Sequence, residues 1–299
     1  MLHATTSTGD KRMNLRRRLA SGEIVVLPGA FNPLSAMLIE RRGFDAVYLS
    51  GAVLAAELGL PDVGLTTMTE VAQRASQVAR VTNLPLIVDA DTGFGEAMNV
   101  ARAVQVLEDA GVAGLHLEDQ VNPKRCGHLD GKQVVDVSIA VQRVHAAAGA
   151  RRDPNLLLVA RTDARATGNL AEAIDRAKAY VDAGADAIFP EALLDESEFA
   201  AMRRALDVPL LANATEFGKG PMLTTTQLEA LGVNMVIFPV SLLRLAMGAT
   251  ERGLATLREE GGLASALGAM QSRADLYELL DYASYEVFDD TVFNFQLPS

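Results

Sequence analysis

The sequence predicts a single α/β domain, a (β/α)8 TIM barrel with extra helices at its C-terminal end. Short apolar runs alternate eight times with longer segments of helical periodicity along the 299 residues. Most of the runs are continuously apolar, which is typical of strands covered on both faces of a parallel sheet. Eight β–α units in series favour a closed barrel. An open doubly wound sheet is the alternative, but no Gly-x-Gly-x-x-Gly motif follows the first strand to support its dinucleotide-binding form.

The predicted strands are short and rich in β-branched and other apolar residues. They span residues 24–28, 46–50, 86–89, 114–118, 156–161, 187–190, 210–213 and 235–239. The helices predicted to follow them span residues 33–42, 69–82, 98–110, 137–148, 170–183, 196–206, 225–231 and 241–260. In segment 170–183, for example, Leu170, Ala173 and Ala177 lie on one face at helical spacing.

Several of these helices are expected to end at a glycine that precedes the next strand. Glycine adopts the left-handed conformation that closes a helix without a steric penalty from Cβ. The residues concerned are Gly43, Gly111, Gly184 and Gly232. Their repetition at the same place in successive units supports the barrel.

Both ends of the chain extend beyond the eight units. Residues 1–21 begin with a polar stretch and continue with a basic one, and they predict an N-terminal helix or a loose arm. Residues 262–299 exceed what one barrel needs and predict one or two extra helices that pack on a neighbouring subunit. Residues 1–299 contain no low-complexity linker, so the whole chain is interpreted as one barrel domain.

Composition limits the classes of partner and compartment. The formal net charge is −11 and no large basic patch is visible, so nucleic acid is not expected as a partner. No apolar run is long enough to span a bilayer, so no membrane partner is expected either. The single cysteine excludes an internal disulfide and fits a reducing compartment, which places the protein in the cytoplasm.

Polar residues gather where the predicted strands end. In barrels of this type the functional site lies at the C-terminal ends of the strands. Charged side chains are rarely buried unless they are paired or bind a metal. The residues in these positions are Tyr48, Ser50, Gly51, Asp89, Asp91, Glu118, Asp119, Arg161, Asp163, Glu191, Asn213, Thr215, Glu216, Ser241 and Arg244. Their recurrence at one end of successive strands predicts an active site there.

Asp89 and Asp91 are the candidate metal ligands. They are two residues apart, so on an ideal strand their side chains face the same side. Together with Glu118 they offer hard oxygen ligands, which suit Mg²⁺ and also Mn²⁺. The alternative interpretation of Asp-x-Asp is a capped turn before the next helix.

Cys126, the only cysteine, lies in the run Lys-Arg-Cys-Gly-His at residues 124–128. A thiol reacts as thiolate, and the cationic neighbours of this thiol lower its pKa. The position predicts a proton donor or a nucleophile in a loop after the fourth strand. The alternative is an inert thiol in a polar loop.

Eight motifs, in order along the chain, resemble those of the isocitrate lyase and phosphoenolpyruvate mutase superfamily, in its lyase branch. The resemblance extends over residues 22–288. The motifs are Tyr-Leu-Ser-Gly (48–51), Val-Asp-Ala-Asp-Thr-Gly-Phe-Gly (88–95), Leu-Glu-Asp-Gln (117–120), Lys-Arg-Cys-Gly-His (124–128), Ala-Arg-Thr-Asp-Ala (160–164), Phe-Pro-Glu-Ala (189–192), Asn-Ala-Thr-Glu-Phe-Gly (213–218) and Met-Gln-Ser-Arg (270–273). One short motif would be weak support, whereas eight in order are strong.

The resemblance implies a Mg²⁺-dependent cleavage of a carbon–carbon bond, which converts 2-methylisocitrate to pyruvate and succinate in propionate catabolism. It also implies that the last barrel helix is exchanged between subunits, in a homotetramer built from dimers. Its metal contacts fall on Asp89 and Asp91. Its substrate contacts fall on Ser50, Gly51, Ala52, Cys126, Gly127, His128, Arg161, Glu191, Asn213, Thr215, Arg244 and Arg273.

The chemistry of such a cleavage assigns provisional roles. Cys126 would protonate the carbon of the succinate half as general acid, and Arg161 would stabilise the negative charge that develops on that half. Tyr48 is the candidate base for the hydroxyl proton, and Glu118 is the other candidate.

Three other functions remain open at this point. Isocitrate lyases share the cysteine motif but are longer and carry inserted segments that this chain lacks. Relatives that decarboxylate or hydrolyse oxaloacetate share the Asp-x-Asp loop but lack Lys-Arg-Cys-Gly-His. A barrel without catalytic activity could act as a binding protein, although no expected site position is lost from this sequence.

Overall fold

Eight parallel strands close into a barrel in the computed structural model, which describes residues 4–125, 127, 131–218 and 220–296. In chain order they are β1 Val25–Pro28, β2 Val47–Leu49, β3 Leu86–Asp89, β4 Gly114–Glu118, β5 Leu157–Thr162, β6 Ala187–Pro190, β7 Leu211–Asn213 and β8 Met235–Phe238. Ladders join β2 through β6 in sequence order, and others join β1, β8 and β7. Bridges from Gly29 to Tyr48 and from Ile188 to Leu210 connect the two groups. The predicted closed barrel is confirmed, and the open sheet is wrong.

The helices lie between and after these strands. They are α1 Thr8–Ala20, α2 Pro33–Arg41, α3 Gly51–Glu57, α4 Met68–Ala79, α5 Ala97–Asp109, α6 Val137–Ala150, α7 Ala164–Thr167, α8 Leu170–Asp182, α9 Glu196–Ala205, α10 Thr225–Ala230, α11 Ser241–Glu260, α12 Arg273–Leu279 and α13 Tyr282–Phe293, with a 3₁₀ helix at Ala264–Ala269. Reciprocal capping by Asn32, Thr67 and Thr224 begins α2, α4 and α10. The short helices α3 and α7 were not predicted, because each follows its strand directly and is too brief to show a periodic pattern.

The glycines expected to end helices have the predicted conformation. Gly111 has a φ of +89° and Gly184 has a φ of +108°. At Gly184 a Cβ atom would also lie 2.8 Å from the Cβ of Ala148, so both the backbone angle and the close packing require glycine.

Two apolar layers hold the barrel together. One fills the barrel interior with side chains such as Leu27, Ile87, Val159 and Met235. The other lies between the outer face of the strands and the helices that surround them. Every residue of β3, β4, β5 and β6 is buried, which explains why these strands are continuously apolar rather than alternating.

The N-terminal helix α1 covers the N-terminal end of the barrel. Lys11 Nζ donates to Thr82 O, just before β3, at 2.6 Å. Arg12 Nε donates to Val112 O, before β4, at 3.0 Å, and Arg16 Nη2 donates to Leu156 O, before β5, at 3.1 Å. Leu15 is 1% exposed and belongs to the apolar cluster of the barrel interior. Residues 8–20 therefore form a plug rather than a loose arm.

The C-terminal helices are different, because they bury almost nothing within the chain. α11 and α13 contain no buried residue, and Leu279 is the one buried residue of α12. Large apolar side chains on them are exposed, among them Leu254, Phe288 and Phe293. No helix in the described part of the chain combines the length and apolar character needed to cross a membrane.

Replacing Leu15 with alanine tests the role of the plug. We expect the free energy of unfolding to fall by about 2–5 kcal/mol, because a buried leucine is lost and a cavity opens under the barrel. Met13 lies on the same helix and is 44% exposed, so Met13→Ala is the control and should change stability by no more than about 0.5 kcal/mol. Urea unfolding measures both, and equal effects of the two substitutions would contradict the plug.

Candidate active site

The C-terminal ends of β3, β4 and β5 bring the predicted carboxylates and Arg161 together. Strand register places Glu118 beside Arg161, and Asp89 beside His116. Arg161 Nε lies 3.4 Å from Glu118 Oε2, and Arg161 Nη1 lies 3.7 Å from Glu191 Oε2. All of these side chains are buried, so their charges act on one another with little screening by water.

Asp89 and Asp91 are adjacent, but not for the reason that the sequence suggested. β3 ends at Asp89, and Asp91 has a φ of +46°, so the two side chains do not share the face of a strand. Instead the chain turns, and the backbone N–H of Asp91 donates to Asp89 Oδ1 at 3.0 Å. The N–H of Gly51 donates to Asp89 Oδ2 at 3.2 Å. A Cβ at Gly51 would lie 3.3 Å from Asp91 Oδ1, so glycine leaves this space free.

The two aspartates differ in proton affinity. Burial, together with the negative charge of Asp89, raises the pKa of Asp91 to about 6. Burial alone would also raise the pKa of Asp89, but the nearby His116, Lys124 and Arg161 lower it to about 2. Asp89 therefore stays ionised at neutral pH, and Asp91 gains a proton more readily than an ordinary aspartate.

Lys124 supplies a positive charge to this pair. Its Nζ lies 2.8 Å from Asp91 Oδ1 and donates a hydrogen bond to Asp62 Oδ1. Burial would lower the pKa of Lys124, but Glu118, Asp91, Asp89 and Asp62 together raise it, so the side chain is an ammonium. Asp62 was not among the predicted site residues, since it follows a proline in a loop that carries no strand-end signal.

Arg161 is held on one side by Asp163. Arg161 Nε and Nη2 donate to Asp163 Oδ2 and Oδ1 at 2.9 and 3.2 Å. Lys132 Nζ lies 2.6 Å from Asp163 Oδ1 and also donates to the carbonyl of Gly127. The positive charges of Arg161 and Lys132 hold the pKa of Asp163 below its usual range although burial alone would raise it. Gly127 lies against the guanidinium, since a Cβ there would be 2.5 Å from Arg161 Nη2.

Asp119 anchors the backbone that follows β5. Its Oδ1 accepts from the N–H of Asp163 at 2.9 Å, and its Oδ2 accepts from Thr162 Oγ1 and from the Tyr180 hydroxyl at 2.8 Å each. Burial and the charge of Asp163 raise the pKa of Asp119. Through these bonds Asp119 fixes Asp163, and Asp163 in turn fixes Arg161.

Tyr48 and His116 form a buried polar pair beside Asp89. The Tyr48 hydroxyl lies 2.7 Å from His116 Nε2, and His116 Nε2 lies 3.6 Å from Asp89 Oδ1. Burial lowers the pKa of His116 to about 4, so the imidazole is neutral at neutral pH. Burial and Asp89 raise the pKa of Tyr48 well above its ordinary value, which opposes ionisation of the phenol.

The buried ring of Phe189 contacts both His116 and Arg161. Its ring meets the imidazole of His116 edge-on at a centroid distance of 5.4 Å. The Arg161 guanidinium carbon lies 5.1 Å from the centroid of the same ring. The buried aromatic ring therefore packs against both polar groups.

Other predicted contacts form a second group on the side of β7 and β8. Asn213 Nδ2 donates to Glu191 Oε2 at 3.3 Å, which connects this group to Arg161. Arg244 Nη1 donates to Thr215 Oγ1 at 3.2 Å and to Glu216 Oε2 at 3.0 Å. Arg244 is more exposed than Arg161, so it lies nearer the mouth of the barrel.

The remaining predicted residues are placed as follows. Ser50 is buried at the start of α3, and Ala52 is half-buried on the first turn of that helix. Arg273 is exposed at the start of α12, and in the described part of the chain it makes no hydrogen bond or ion pair with another predicted site residue. Cys126 and His128 lie outside the described residues.

The donor set fits a hard divalent cation that keeps part of its water shell. Among residues 4–125, 127, 131–218 and 220–296, no three His, Cys, Asp or Glu side chains converge as a closed metal cage. Mg²⁺ seldom needs one, since it commonly binds through one or two carboxylates and retains waters. Glu118 Oε1 is buried without a hydrogen-bond partner in the described structure, as an oxygen that faces a cation would be, and Asp91 Oδ1 already faces one in the Lys124 ammonium. Glu118 itself pairs with Arg161 in this structure, so its contact with a metal stays a prediction.

The balance of buried charge supports the same conclusion. Among the described residues, the buried cations of the site are Lys124, Lys132 and Arg161. The buried carboxyl groups there outnumber them, namely Asp89, Asp91, Glu118, Asp119, Asp163 and Glu191. Excess buried negative charge is costly unless protons or a further cation neutralise it.

The sequence interpretation missed Asp62, His116 and Lys132 as site residues, and it recorded Asp119 and Asp163 at strand ends without giving them a role. A signal existed for His116, because it stands two residues before Glu118 on β4 and therefore points into the barrel with it. Asp119 directly follows the predicted Glu118, and Asp163 stands two residues after the predicted Arg161. Lys132 and Asp62 lie in loops, and only the tertiary structure brings them to the site.

Comparison with known proteins gives consistent results. Residues 15–258 match the family model described as phosphoenolpyruvate phosphomutase. A protein of Corynebacterium glutamicum named probable 2-methylisocitrate lyase 1 is 57% identical over 96% of this chain and 95% of its own length. The 2-methylisocitrate lyase of Aeropyrum pernix is 48% identical over 93% of this chain and 90% of its own length.

Solved structures extend the similarity to the three-dimensional fold. Oxaloacetate acetylhydrolase in complex with 3,3-difluorooxalacetate superposes with a TM-score of 0.90 and 33% identity, covering 97% of this chain and 99% of its own. Phosphonopyruvate hydrolase in complex with oxalate and Mg²⁺ superposes with a TM-score of 0.84 and 31% identity, covering 95% and 99% of the two chains.

Replacing Asp119 with alanine tests the anchor behind Arg161. We expect the free energy of unfolding to fall by about 3 kcal/mol or more, because three buried donors lose their acceptor at about 1–3 kcal/mol each. Asp109 is an exposed aspartate that pairs with Arg152, so Asp109→Ala is the control, with an expected change of no more than about 0.5 kcal/mol. Chemical denaturation measures both, and a cost for Asp119→Ala as small as that of the control would contradict the anchor.

Proposed function

The chain belongs to the phosphoenolpyruvate phosphomutase family, and we propose that it is a lyase that cleaves 2-methylisocitrate to pyruvate and succinate. The observation that carries this proposal is 57% identity, over 96% of the chain, to the protein named probable 2-methylisocitrate lyase 1. The site at the carboxyl end of the barrel supplies the groups that this cleavage needs.

Binding of the substrate carboxylates falls to the arginines and their neighbours. Arg161 keeps its planar guanidinium in place through Asp163, so little conformational freedom is lost when it binds a carboxylate. Asn213, Thr215 and Arg244 complete the arrangement on the side of β7 and β8. Together these groups stabilise the negative charge that develops on the succinate half as the carbon–carbon bond breaks.

We further propose that the cleavage uses Mg²⁺ held by Asp89 and Asp91, with Mn²⁺ as a substitute. When bound, the metal supplies Lewis acidity, which lowers the pKa of a substrate hydroxyl and favours formation of the carbonyl. The fit of the donor set and the Mg²⁺ in the phosphonopyruvate hydrolase structure support this assignment.

Proton transfer is assigned to residues of this chain. Cys126 acts as the general acid that protonates the carbon of the succinate half, and the cationic Lys-Arg-Cys-Gly-His run favours the thiolate that remains. The hydroxyl proton has two candidate acceptors, Tyr48 through its contact with His116 and Glu118 through its raised pKa. Burial raises the pKa of the Glu118 carboxyl and of the Tyr48 phenol, so each group must first lose a proton and is then a stronger base than usual.

The C-terminal helices support an oligomer. Their exposed apolar side chains would be covered if α11, α12 and α13 packed on a neighbouring subunit. We therefore propose a homotetramer built from dimers, in which helices are exchanged between subunits. In such an assembly Arg273 would contribute to the active site of a neighbouring subunit. The single cysteine fits a reducing compartment, and on that basis we place the enzyme in the cytoplasm.

Product analysis with several substrates tests the proposed reaction. We expect pyruvate and succinate from 2-methylisocitrate, with kcat/KM for isocitrate lower by about 10–200-fold, because one methyl-sized group gives limited discrimination. Oxaloacetate belongs in the same series, since the superposition with oxaloacetate acetylhydrolase favours it as a second candidate substrate. A preference for isocitrate or oxaloacetate would overturn the assignment, and binding without any turnover would indicate a binding protein.

Replacing Cys126 with serine tests the general acid. Because a hydroxyl is a far weaker acid than a thiol, kcat should fall by at least about 10²-fold, a typical size for the loss of general acid catalysis. The midpoint of thermal unfolding should stay at the wild-type value, which separates loss of chemistry from loss of fold. Turnover near the wild-type rate would show that the proton comes from another group.

Removal of divalent cations tests the metal assignment. Exhaustive chelation should abolish turnover, and Mg²⁺ or Mn²⁺ should restore it to the wild-type enzyme. Asp91→Ala removes an oxygen ligand or a group that orients one, so this variant should need a higher metal concentration for the same rate. Full activity after chelation would end the metal hypothesis.

A further inference from the structure

The Lys124 ammonium contacts the Asp91 carboxylate, which is one of the two proposed metal ligands. We propose that Lys124 is an internal counter-cation of the Asp89–Asp91 pair, which a divalent metal displaces from Asp91 and which Asp62 then retains. This inference rests on the metal use proposed above. It assigns to Lys124 the role of setting how tightly the site binds metal.

The contact between Lys124 and Asp91 is direct and buried. The ammonium nitrogen lies 2.8 Å from Asp91 Oδ1, and the two side chains are 4% and 7% exposed. Among the described residues, Lys124 is the one cation within ion-pair distance of Asp91. No other partner of this oxygen is present in the described structure, so the ammonium is its main source of compensation.

Asp62 gives the ammonium a second place to bind. Lys124 Nζ donates to Asp62 Oδ1 as well, and the Asp62 side chain, at 18% exposed, lies nearer the solvent. A small movement of a flexible lysine side chain toward Asp62 would therefore free Asp91 without leaving the ammonium unpaired. This exchange needs no movement of β3 or of the Asp89 backbone.

Competition follows from the charges. A metal ion and an ammonium cannot both make close contact with Asp91 Oδ1 without strong repulsion, since the site is buried and screening is weak. Each cation must therefore weaken the binding of the other. The lysine also neutralises part of the buried negative charge when no metal compensates it, which limits the cost of burying Asp89 and Asp91 together.

Measuring Mn²⁺ binding to the full-length protein without substrate tests the proposal. Lys124→Met keeps the length of the side chain but removes the charge. We expect Mn²⁺ to bind this variant at least about tenfold more tightly than wild type, because a nearby opposite charge changes the proton affinity of a carboxylate by about 10- to 1000-fold. Electron paramagnetic resonance of free Mn²⁺ gives the dissociation constants.

Two control variants separate this effect from a general loss of buried charge. Lys124→Arg keeps the positive charge and should bind Mn²⁺ with nearly the wild-type affinity. Lys11 is also a buried lysine, but it donates to Ala79 O and Thr82 O at the other end of the barrel. Lys11→Met should therefore leave Mn²⁺ affinity unchanged. Equal or weaker Mn²⁺ binding by Lys124→Met would overturn the proposal.

A measurement on the wild-type protein covers the case in which Lys124→Met does not fold. A brief pulse of an amine-reactive reagent, followed by peptide mass spectrometry, reports how accessible each lysine is. Adding Mg²⁺ should speed modification of Lys124 and leave Lys11 unchanged. Modification of Lys124 that stays equal or slows would contradict displacement.

The outcomes also distinguish this inference from the proposed function. If wild-type protein binds no Mn²⁺ and turns over after chelation, the metal assignment itself is wrong and the inference is lost with it. If wild type binds Mn²⁺ and Lys124→Met gains no affinity, the metal assignment stands and only the role of Lys124 is wrong.

Discussion

Neutralising buried carboxylates is the constraint on which the rest of this site depends. The ends of β3, β4 and β5 bury more carboxyl groups than cations, and a buried charge without a partner is costly. Asp163 meets the constraint with Arg161 and Lys132, whereas Asp91 meets it with Lys124. Glu118 and Asp119 meet it in part through raised pKa values.

The same constraint explains a difference between two parts of the site. The guanidinium proposed to bind substrate is fixed, whereas the ammonium beside the proposed metal ligands has two alternative partners. Arg161 is fixed by two hydrogen bonds to Asp163, which Asp119 holds from behind. Fixed donors need no reorganisation when charge develops on a substrate. Lys124, in contrast, has two acidic partners and a flexible side chain, so the charge beside Asp91 can change without a change of fold.

The amino-acid sequence by itself determined the barrel and the edge at which its chemistry lies. Eight apolar strands, glycines that end helices and polar residues at strand ends are local patterns, and each is visible within a few residues of the chain. The predicted residues Asp89, Glu118 and Arg161 lie together for the same reason, because parallel strands in a barrel end at one edge. The eight motifs, in their order along the chain, predicted the family, and the comparisons with known proteins confirm it.

Only the tertiary structure decided which charges pair and what covers the N-terminal end of the barrel. Asp91 lies beside Asp89 through a turn with positive φ rather than through strand alternation, and Lys124, Asp62 and Lys132 reach the site from loops. The plug formed by α1 depends on carbonyls and apolar groups distant in sequence, so a basic amphipathic stretch could not reveal it. Strand order and the polarity of strand ends are encoded in short stretches of sequence, so they could be predicted. Pairs of side chains depend on distances across the fold, so they could not.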